Sequence, residues 1–217
     1  MMPHQSLTPR ANALLERIRP LEEKNDTDAI RREIEAERQA SRLEGDRVAE
    51  FQLTKLLILT LYHARRYEEA LAEAIAAQHI DEEGWSSLSS ISVALTFLGR
   101  DDEAIATLLR ELDNALLPAE ERHMVFVALG HLFVKKNNLA MANQYLRSAF
   151  SVAIENELVP ETWDYTLAAK LGRKGDVFAE QYLRTLLPMA KRSQADGNEL
   201  LTEALEEALA AMQSGDR

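Results

Sequence analysis

Apolar side chains recur at helical spacing along most of the chain, and short polar turns interrupt the pattern. Residues 85–118 are the clearest case, because they read as two amphipathic helices joined by a tight turn at Gly99. An alanine recurs near the start of the second helix of this pair and of the pairs on either side. Ala70 lies 34 residues before Ala104, and Ala142 lies 38 residues after it. Repetition at this period is typical of stacked helical hairpins. The pattern therefore predicts an all-α chain with essentially no strand.

Four helix pairs follow from this pattern, each with a helix A and a helix B. Helix A of the first pair is predicted over 47–65 and helix B from Tyr67 to about His79, and the second pair fills 85–118. The third pair is predicted over 120–136 and 139–156, and the fourth over 162–171 and 177–192. A short helix over 10–19 should end at Pro20, because proline disrupts a helix interior. Residues 199–213 form an amphipathic pattern that suits a terminal cap.

The pattern divides the chain into three parts. Residues 1–45 hold a tail and a charged helical segment, 46–192 the helical repeats, and 193–217 the C-terminal amphipathic helix and tail. The charged segment 28–44 has a thin apolar stripe, so one interpretation is a solvated helix that lies against the first pair. The alternative is an interaction arm or a dimer contact.

The third pair carries the residues of a known repeat pattern. Its helix A has Phe126, Leu129, Gly130 and Phe133, and its helix B has Ala142, Leu146 and Ala149. Residues 50–190 thereby resemble the tetratricopeptide repeat (TPR) family. The resemblance implies a right-handed superhelix of antiparallel helix pairs, an α-solenoid of about three to four repeats with N-terminal helices and a C-terminal capping helix.

Small residues at repeated positions agree with this resemblance. Residues 92, 130 and 168 are small, which should let helix A approach helix B closely, and the alanines at 70, 104 and 142 should let one repeat dock on the next. The fourth repeat departs from the pattern, because Glu180 stands where a small residue is expected.

Helix A of each repeat lines the concave face in this family, and the resemblance therefore implies a peptide-binding groove. The predicted groove residues are Lys55, Leu59, Tyr62, Ser89, Val93, Thr96, Val127, His131, Val134 and Tyr165. Some family members hold a peptide C-terminus with a clamp of basic and asparagine side chains, of which only Lys55 is present here. The groove is mostly apolar, so the expected partner is an amphipathic helix or an extended apolar segment.

Composition and charge narrow the function further. The chain has no cysteine, and its histidines and acids form no cluster with ligand spacing, so we expect no metal site, no cofactor and no catalytic residues. The net charge is −11, and no basic stripe could follow a run of phosphates, which disfavours nucleic acid and acidic membrane surfaces. No apolar run is long enough to span a membrane and no secretory signal opens the chain, so a cytoplasmic protein is expected.

These observations favour a non-enzymatic protein- or peptide-binding scaffold or adaptor. A narrower alternative is a bacterial cytoplasmic chaperone that resembles the TPR chaperones of type III secretion, which are also small and acidic. A third is a self-associating structural protein, a homo-oligomer in which a terminal helix fills a neighbour's groove.

Overall fold

The computed structural model describes residues 7–80, 87–158 and 162–193, together with 202–203, 205–207 and 209–210. Every regular element in this part of the chain is helical. Between Pro9 and Ser193 the described residues form ten α-helices, with a 3-10 helix at Ala77–Ile80 after the fourth, and the described residues of 202–210 are helical as well. The ten α-helices are α1 (Pro9–Glu22), α2 (Thr27–Glu44), α3 (Arg47–His63), α4 (Tyr67–Ala76), α5 (Ser87–Phe97), α6 (Asp101–Leu112), α7 (Ala119–Lys135), α8 (Leu139–Glu155), α9 (Thr162–Gly172) and α10 (Val177–Ser193).

The chain forms two compact units, an N-terminal unit of Met1–Glu111 and a C-terminal unit of Leu112–Arg217. In the N-terminal unit, α2 packs against α1 and α3, and α4 packs against α3 and α5. In the C-terminal unit, α7 packs against α8 and α9, and α10 packs against α9. Within each unit these consecutive helices are thus neighbours in space, and the predicted third and fourth pairs correspond to α7–α8 and α9–α10. The border between the units lies inside the predicted repeat region.

One turn geometry joins most of these helices. Seven residues of the described chain have a left-handed backbone with φ between 53° and 87°: Asn25, Gly45, Arg65, Gly99, Asn137, Glu157 and Gly175. In each case the N–H of the next residue donates to the carbonyl five positions before it, as from Arg100 to Leu95 at 2.8 Å. This is the Schellman end of a helix, which satisfies carbonyls that the helix leaves unpaired. The same turn therefore ends α1, α3, α5, α7 and α9, the first helix of every pair.

Counting from these turns shows that α1 and α2 form a further pair in phase with the next three. Ile30 is buried five residues after Asn25, as Ala70, Ala104 and Ala142 are buried five residues after their own turns. The sequence pattern did not predict this pair, because its small position holds isoleucine and Pro20 was expected to end α1. Instead α1 continues to Glu22, since a proline in the last turn removes only one hydrogen bond.

The charged helix α2 lies against the first predicted pair. Ile30 and Ile34 are buried in one core with Leu57 and Leu61 of α3. The arginines on its other face make ion pairs with α4, at 2.6 Å from Arg31 to Glu69 and at 2.8 Å from Arg38 to Glu73. Residues 28–44 thus include a helix that packs against the first predicted pair, while a role as an interaction arm or a dimer contact stays a prediction.

The core of the C-terminal unit departs from the expected register at α10. Ala179 is buried four residues after Gly175, one position earlier than in the other pairs, and Tyr182 and Leu183 are buried with it. Glu180 is therefore turned outward, where it pairs with Arg184 at 2.6 Å. Leu205 and Leu209 of the C-terminal segment join this core as the capping prediction required, while Leu201, Ala208 and Met212 lie outside the described residues.

The small residue Gly130 has a different neighbour from the predicted one. We expected it to admit helix B of its own pair, but the nearest atoms to its missing side chain all belong to Leu167 of α9. Gly130 therefore lets two successive A helices approach each other. The predicted burial of Ala70, Ala104 and Ala142 is confirmed, because all three are fully buried.

Candidate functional site

The predicted groove residues occupy recurring positions of the A helices. Leu59, Val93 and His131 each lie six residues before the left-handed turn residue of their pair, and Tyr62, Thr96 and Val134 lie three residues before it. Because these two positions are one helical turn apart, the two residues of each A helix share a helix face. Six of the predicted groove residues belong to the N-terminal unit and four to the C-terminal unit.

In the N-terminal unit, α3 and α5 lie side by side. The hydroxyl of Tyr62 in α3 donates a hydrogen bond to the carbonyl of Ser90 in α5, and burial raises the pKa of this tyrosine. The rings of Tyr62 and Phe97 lie 6.3 Å apart, and Phe97 stacks on Tyr67 at 4.6 Å with an interplanar angle of 3°. Aromatic contacts of this kind add to the packing between the helices. They fix the face of α3 relative to the face of α5.

This face exposes three large apolar side chains. Leu59 is 49% exposed, Val93 is 41% exposed and Phe97 is 55% exposed. Leu59 lies one turn from Tyr62, and Val93 lies one turn from Phe97, so the ring contact between Tyr62 and Phe97 makes the four residues continuous. We refer to Leu59, Tyr62, Val93 and Phe97 as the apolar strip.

Polar side chains border the apolar strip. The exposed Lys55 lies one turn before Leu59, with its ammonium 5.2 Å from the centre of the Phe51 ring. The hydroxyl of Ser89 donates to the Glu111 carboxylate at 2.8 Å, and that of Thr96 donates to the Ser92 carbonyl at 2.8 Å. The hydroxyls of Ser89 and Thr96, which were predicted to contact a partner, therefore donate their hydrogen bonds within the protein. Among the predicted groove residues of this unit, Lys55 is the cation.

The C-terminal unit corrects one predicted groove residue. Val127 is only 1% exposed and belongs to the core with Leu167 and Leu171 of α9, so its side chain is not available to a partner. The physical reason is the close approach of α7 and α9 at Gly130, which covers the inner face of α7. Val134 is half buried against the same core.

The remaining predicted residues of this unit lie on α7 and α9. His131 is partly exposed, with Nδ1 at 3.3 Å from the Lys170 ammonium and Nε2 at 3.4 Å from the Thr166 hydroxyl. Because an ammonium can only donate, Nδ1 is the acceptor in the contact with Lys170. The side chain of Tyr165 lies outside the described part of the structure. One continuous groove along all four predicted pairs stays a prediction.

The aromatic end of the apolar strip was underestimated from sequence. Phe97 is not among the predicted groove residues, and Tyr67 was predicted only as the first residue of a helix B. The sequence signal for their contact is their spacing from the turns: Phe97 lies two residues before the turn residue Gly99, and Tyr67 lies two residues after the turn residue Arg65. Such positions meet where neighbouring pairs stack.

Within the described residues, no three histidine, aspartate or glutamate side chains lie close enough together to hold a metal ion. The buried His123 instead has its Nδ1 at 2.9 Å from the Ala149 carbonyl, to which it donates. None of the helices described combines the length and apolar character that crossing a bilayer requires.

No model of a known protein family matches this chain, and no curated protein matches it.

Proposed function

We propose that this protein is a non-enzymatic scaffold that binds a protein or peptide segment along the apolar strip of its N-terminal unit. The observation that carries the proposal is the strip itself, with Leu59, Val93 and Phe97 each about half exposed on one face. Apolar surface that gathers on one face, bordered by polar residues, is typical of interaction sites. Covering it with an apolar partner would gain about 25 cal/mol for each Å² removed from water.

The continuity of the strip supports a binding role. Leu59 and Val93 are 34 residues apart and hold the same position in successive A helices, and they are linked through the ring contact of Tyr62 with Phe97. Exposure at the same spacing also occurs on the B helices, at Ile75 and Leu109, so the link through the aromatic rings is what favours the A helices. In contrast, the arginines of α2 meet carboxylates of α4, which leaves that face of the unit charged and internally paired. The A-helix face is therefore the better candidate for an apolar partner.

The TPR-like superhelix belongs to the same proposal. The Schellman turn that recurs at Arg65, Gly99, Asn137 and Gly175 and the fully buried alanines after three of these turns support it. In such an arrangement the A helices line the concave side, and the apolar strip would be part of a longer groove. The proposed site of action is the cytoplasm, with which a sequence that has no cysteine for disulfides is compatible.

The partner that fits this surface is an amphipathic helix. Its apolar face would cover the strip, while a carboxylate near its end would meet Lys55, which makes no ion pair with any described residue. The hydroxyl oxygens of Ser89 and Thr96 can still accept hydrogen bonds at the border of the strip.

The proposal is tested by cross-linking in the native cell. A photo-reactive amino acid replaces Val93 on the strip or, as the matched control, Leu109 on helix B of the same repeat, which is exposed to the same degree. We expect a specific cross-linked partner from position 93 and none from position 109. A partner captured only from position 109 would reject the strip, and a product made only of this chain would favour a self-associating protein.

A further inference from the structure

A cluster of cations lies at one end of the C-terminal unit, in a chain whose net charge is −11. Five exposed cations surround the turns that join α7 to α8 and α9 to α10: Lys135, Lys136, Lys170, Arg173 and Lys174. We call these five residues the basic end. Residues 119–192 carry ten cations and eight acids, whereas every other part of the chain is net acidic.

The two turns of the basic end are neighbours in space. Asn143 in the first turn of α8 donates a hydrogen bond to the carboxylate of Asp176, which follows the turn between α9 and α10. Lys170 of α9 reaches His131 of α7 at 3.3 Å. The guanidinium of Arg147 in α8 also lies 4.0 Å from the centre of the Phe178 ring in α10. The cations of both turns therefore form one surface.

The carboxylate of Asp176, beside the turn between α9 and α10, is already hydrogen-bonded within the unit. One oxygen of Asp176 accepts from the backbone N–H of Ala179 at 3.0 Å, and the other accepts from Asn143. Lys170, Arg173 and Lys174 make no ion pair with any described residue. Glu120 and Glu121 stand at the start of α7, about 20 Å from Lys135 along the helix. This exceeds the Debye length of about 8 Å at physiological salt, so they do not neutralise the basic end.

Cations at a helix C-terminus also favour the helix dipole, and this alone could account for their position. In the N-terminal unit, two turn arginines pair with carboxylates, Arg66 with Glu69 and Arg100 with Glu103, and the turn residue Arg65 makes no ion pair with a described residue. The basic end has three cations around one turn that make no ion pair with a described residue. The C-terminal dipoles of two helices amount to about one negative charge, which is less than these three positive charges.

We propose that the basic end binds an acidic segment of a partner protein, through carboxylates that pair with Lys170, Arg173 and Lys174. This surface is separate from the apolar strip and does not depend on it. Nucleic acid fits less well, because the cations are confined to one end of the unit and do not form a track along a run of phosphates. The described part of the chain's own acidic C-terminal segment lies elsewhere, since Glu206 pairs with Lys191 near the far end of α10.

The test uses the full chain and a short fluorescent polyglutamate peptide, with affinity measured by anisotropy at several salt concentrations. The variant Arg173→Glu plus Lys174→Glu reverses two charges of the basic end. The matched control, Lys24→Glu plus Arg110→Glu, makes the same change in net charge at exposed cations of the N-terminal unit that also lack ion pairs with described residues. A third variant, Lys170→Gln, removes one charge from the last turn of α9 and keeps a polar side chain there.

We expect the double reversal to weaken peptide binding by at least about tenfold, Lys170→Gln to weaken it less, and the control to change it by less than about twofold. Binding should weaken as salt increases, because the surface is exposed. Equal losses in the reversal and the control would overturn the proposal, as would no binding by the unaltered chain at low salt. Tighter binding of a single-stranded oligonucleotide, or self-association that the reversal abolishes, would assign the surface to another occupant.

Discussion

Gly130 lies directly against Leu167, so that the Leu167 side chain fills the space that a Cβ at position 130 would need. Leu167 is fully buried, and its packing fixes the approach of α7 to α9. We expect Gly130→Ala to lower the free energy of unfolding by about 1–3 kcal/mol, because the added methyl overpacks the contact. Urea denaturation followed by circular dichroism measures the change.

A double-mutant cycle identifies the cause of that loss. Leu167→Ala removes the atoms that the new methyl would strike, so Gly130→Ala should cost less in that background than in the unaltered chain. Additive losses would show that Gly130 and Leu167 do not meet as described.

A larger side chain at Ala104 should also destabilise the fold. It is fully buried on α6, whereas Ala106 on the same helix is exposed. Ala104→Leu should therefore lower the free energy of unfolding by about 1–3 kcal/mol, and Ala106→Leu should leave it nearly unchanged. Equal denaturation midpoints for the two variants would place the buried face of α6 elsewhere.

Val127 and Val93 distinguish the core from the proposed binding face. An aspartate at position 127 would be buried without a partner, so Val127→Asp should cost about 3 kcal/mol or more or prevent folding. Val93→Asp places its charge on an exposed position and should change the unfolding free energy by less than about 1 kcal/mol. Thermal denaturation of the two variants measures the difference. If the Val127→Asp protein is folded and as stable as the unaltered chain, Val127 is exposed on the predicted groove and not buried in the core.

The ion pairs between α2 and α4 predict a dependence of stability on pH. Hydrogen bonds from Arg66 hold the pKa of Glu69 below its ordinary value of 4.5 and the pKa of Asp28 below 3.8. A lowered pKa means that the folded state binds the proton less readily than the unfolded state, so the stabilisation is present above pH 4.5 and is lost as the pH falls through the lowered values.

Arg66→Gln should remove part of this dependence. The denaturation midpoint of the unaltered chain is expected to fall between pH 5 and pH 3, and that of the variant to start lower and fall less. Arg65→Gln is the control, because Arg65 is exposed and makes no ion pair with a described residue. If Arg65→Gln and Arg66→Gln give the same pH profile, the pairs of Arg66 do not contribute to stability.

Much of the fold follows from periodicity and turn chemistry. The predicted third pair, 120–136 and 139–156, agrees with α7 and α8 within one residue, because Pro118 and the polar turn at Asn137 punctuate a regular apolar pattern. The first pair of the unit, α1–α2, escaped the sequence pattern because it has Ile30 where the others have alanine. The left-handed turn at Asn25 identifies this pair in the structure. In the sequence, a single asparagine is only a weak signal for such a turn.

The candidate site was harder to predict for a physical reason. The position of a side chain on a helix follows from sequence spacing, but its exposure depends on how closely the next helix approaches. Gly130 brings α9 onto α7 and buries Val127, whereas the larger Ile58 occupies the corresponding position of α3, where Lys55, the counterpart of Val127, is exposed. How closely the next helix packs on α7 or on α3 cannot be predicted from the apolar pattern alone.

The most direct test of the account is the affinity of the partner captured through position 93 for two matched double variants. Leu59→Asp plus Val93→Asp charges the apolar strip, and Ile75→Asp plus Leu109→Asp charges the two comparably exposed apolar positions on the B helices of the same repeats. Calorimetric titration of the full-length variants, each shown to be folded, measures both dissociation constants. The account predicts that the strip variant loses at least about tenfold in affinity, at 1.4 kcal/mol per decade, while the B-helix variant binds as the unaltered chain does. Undiminished binding by a folded strip variant would contradict it.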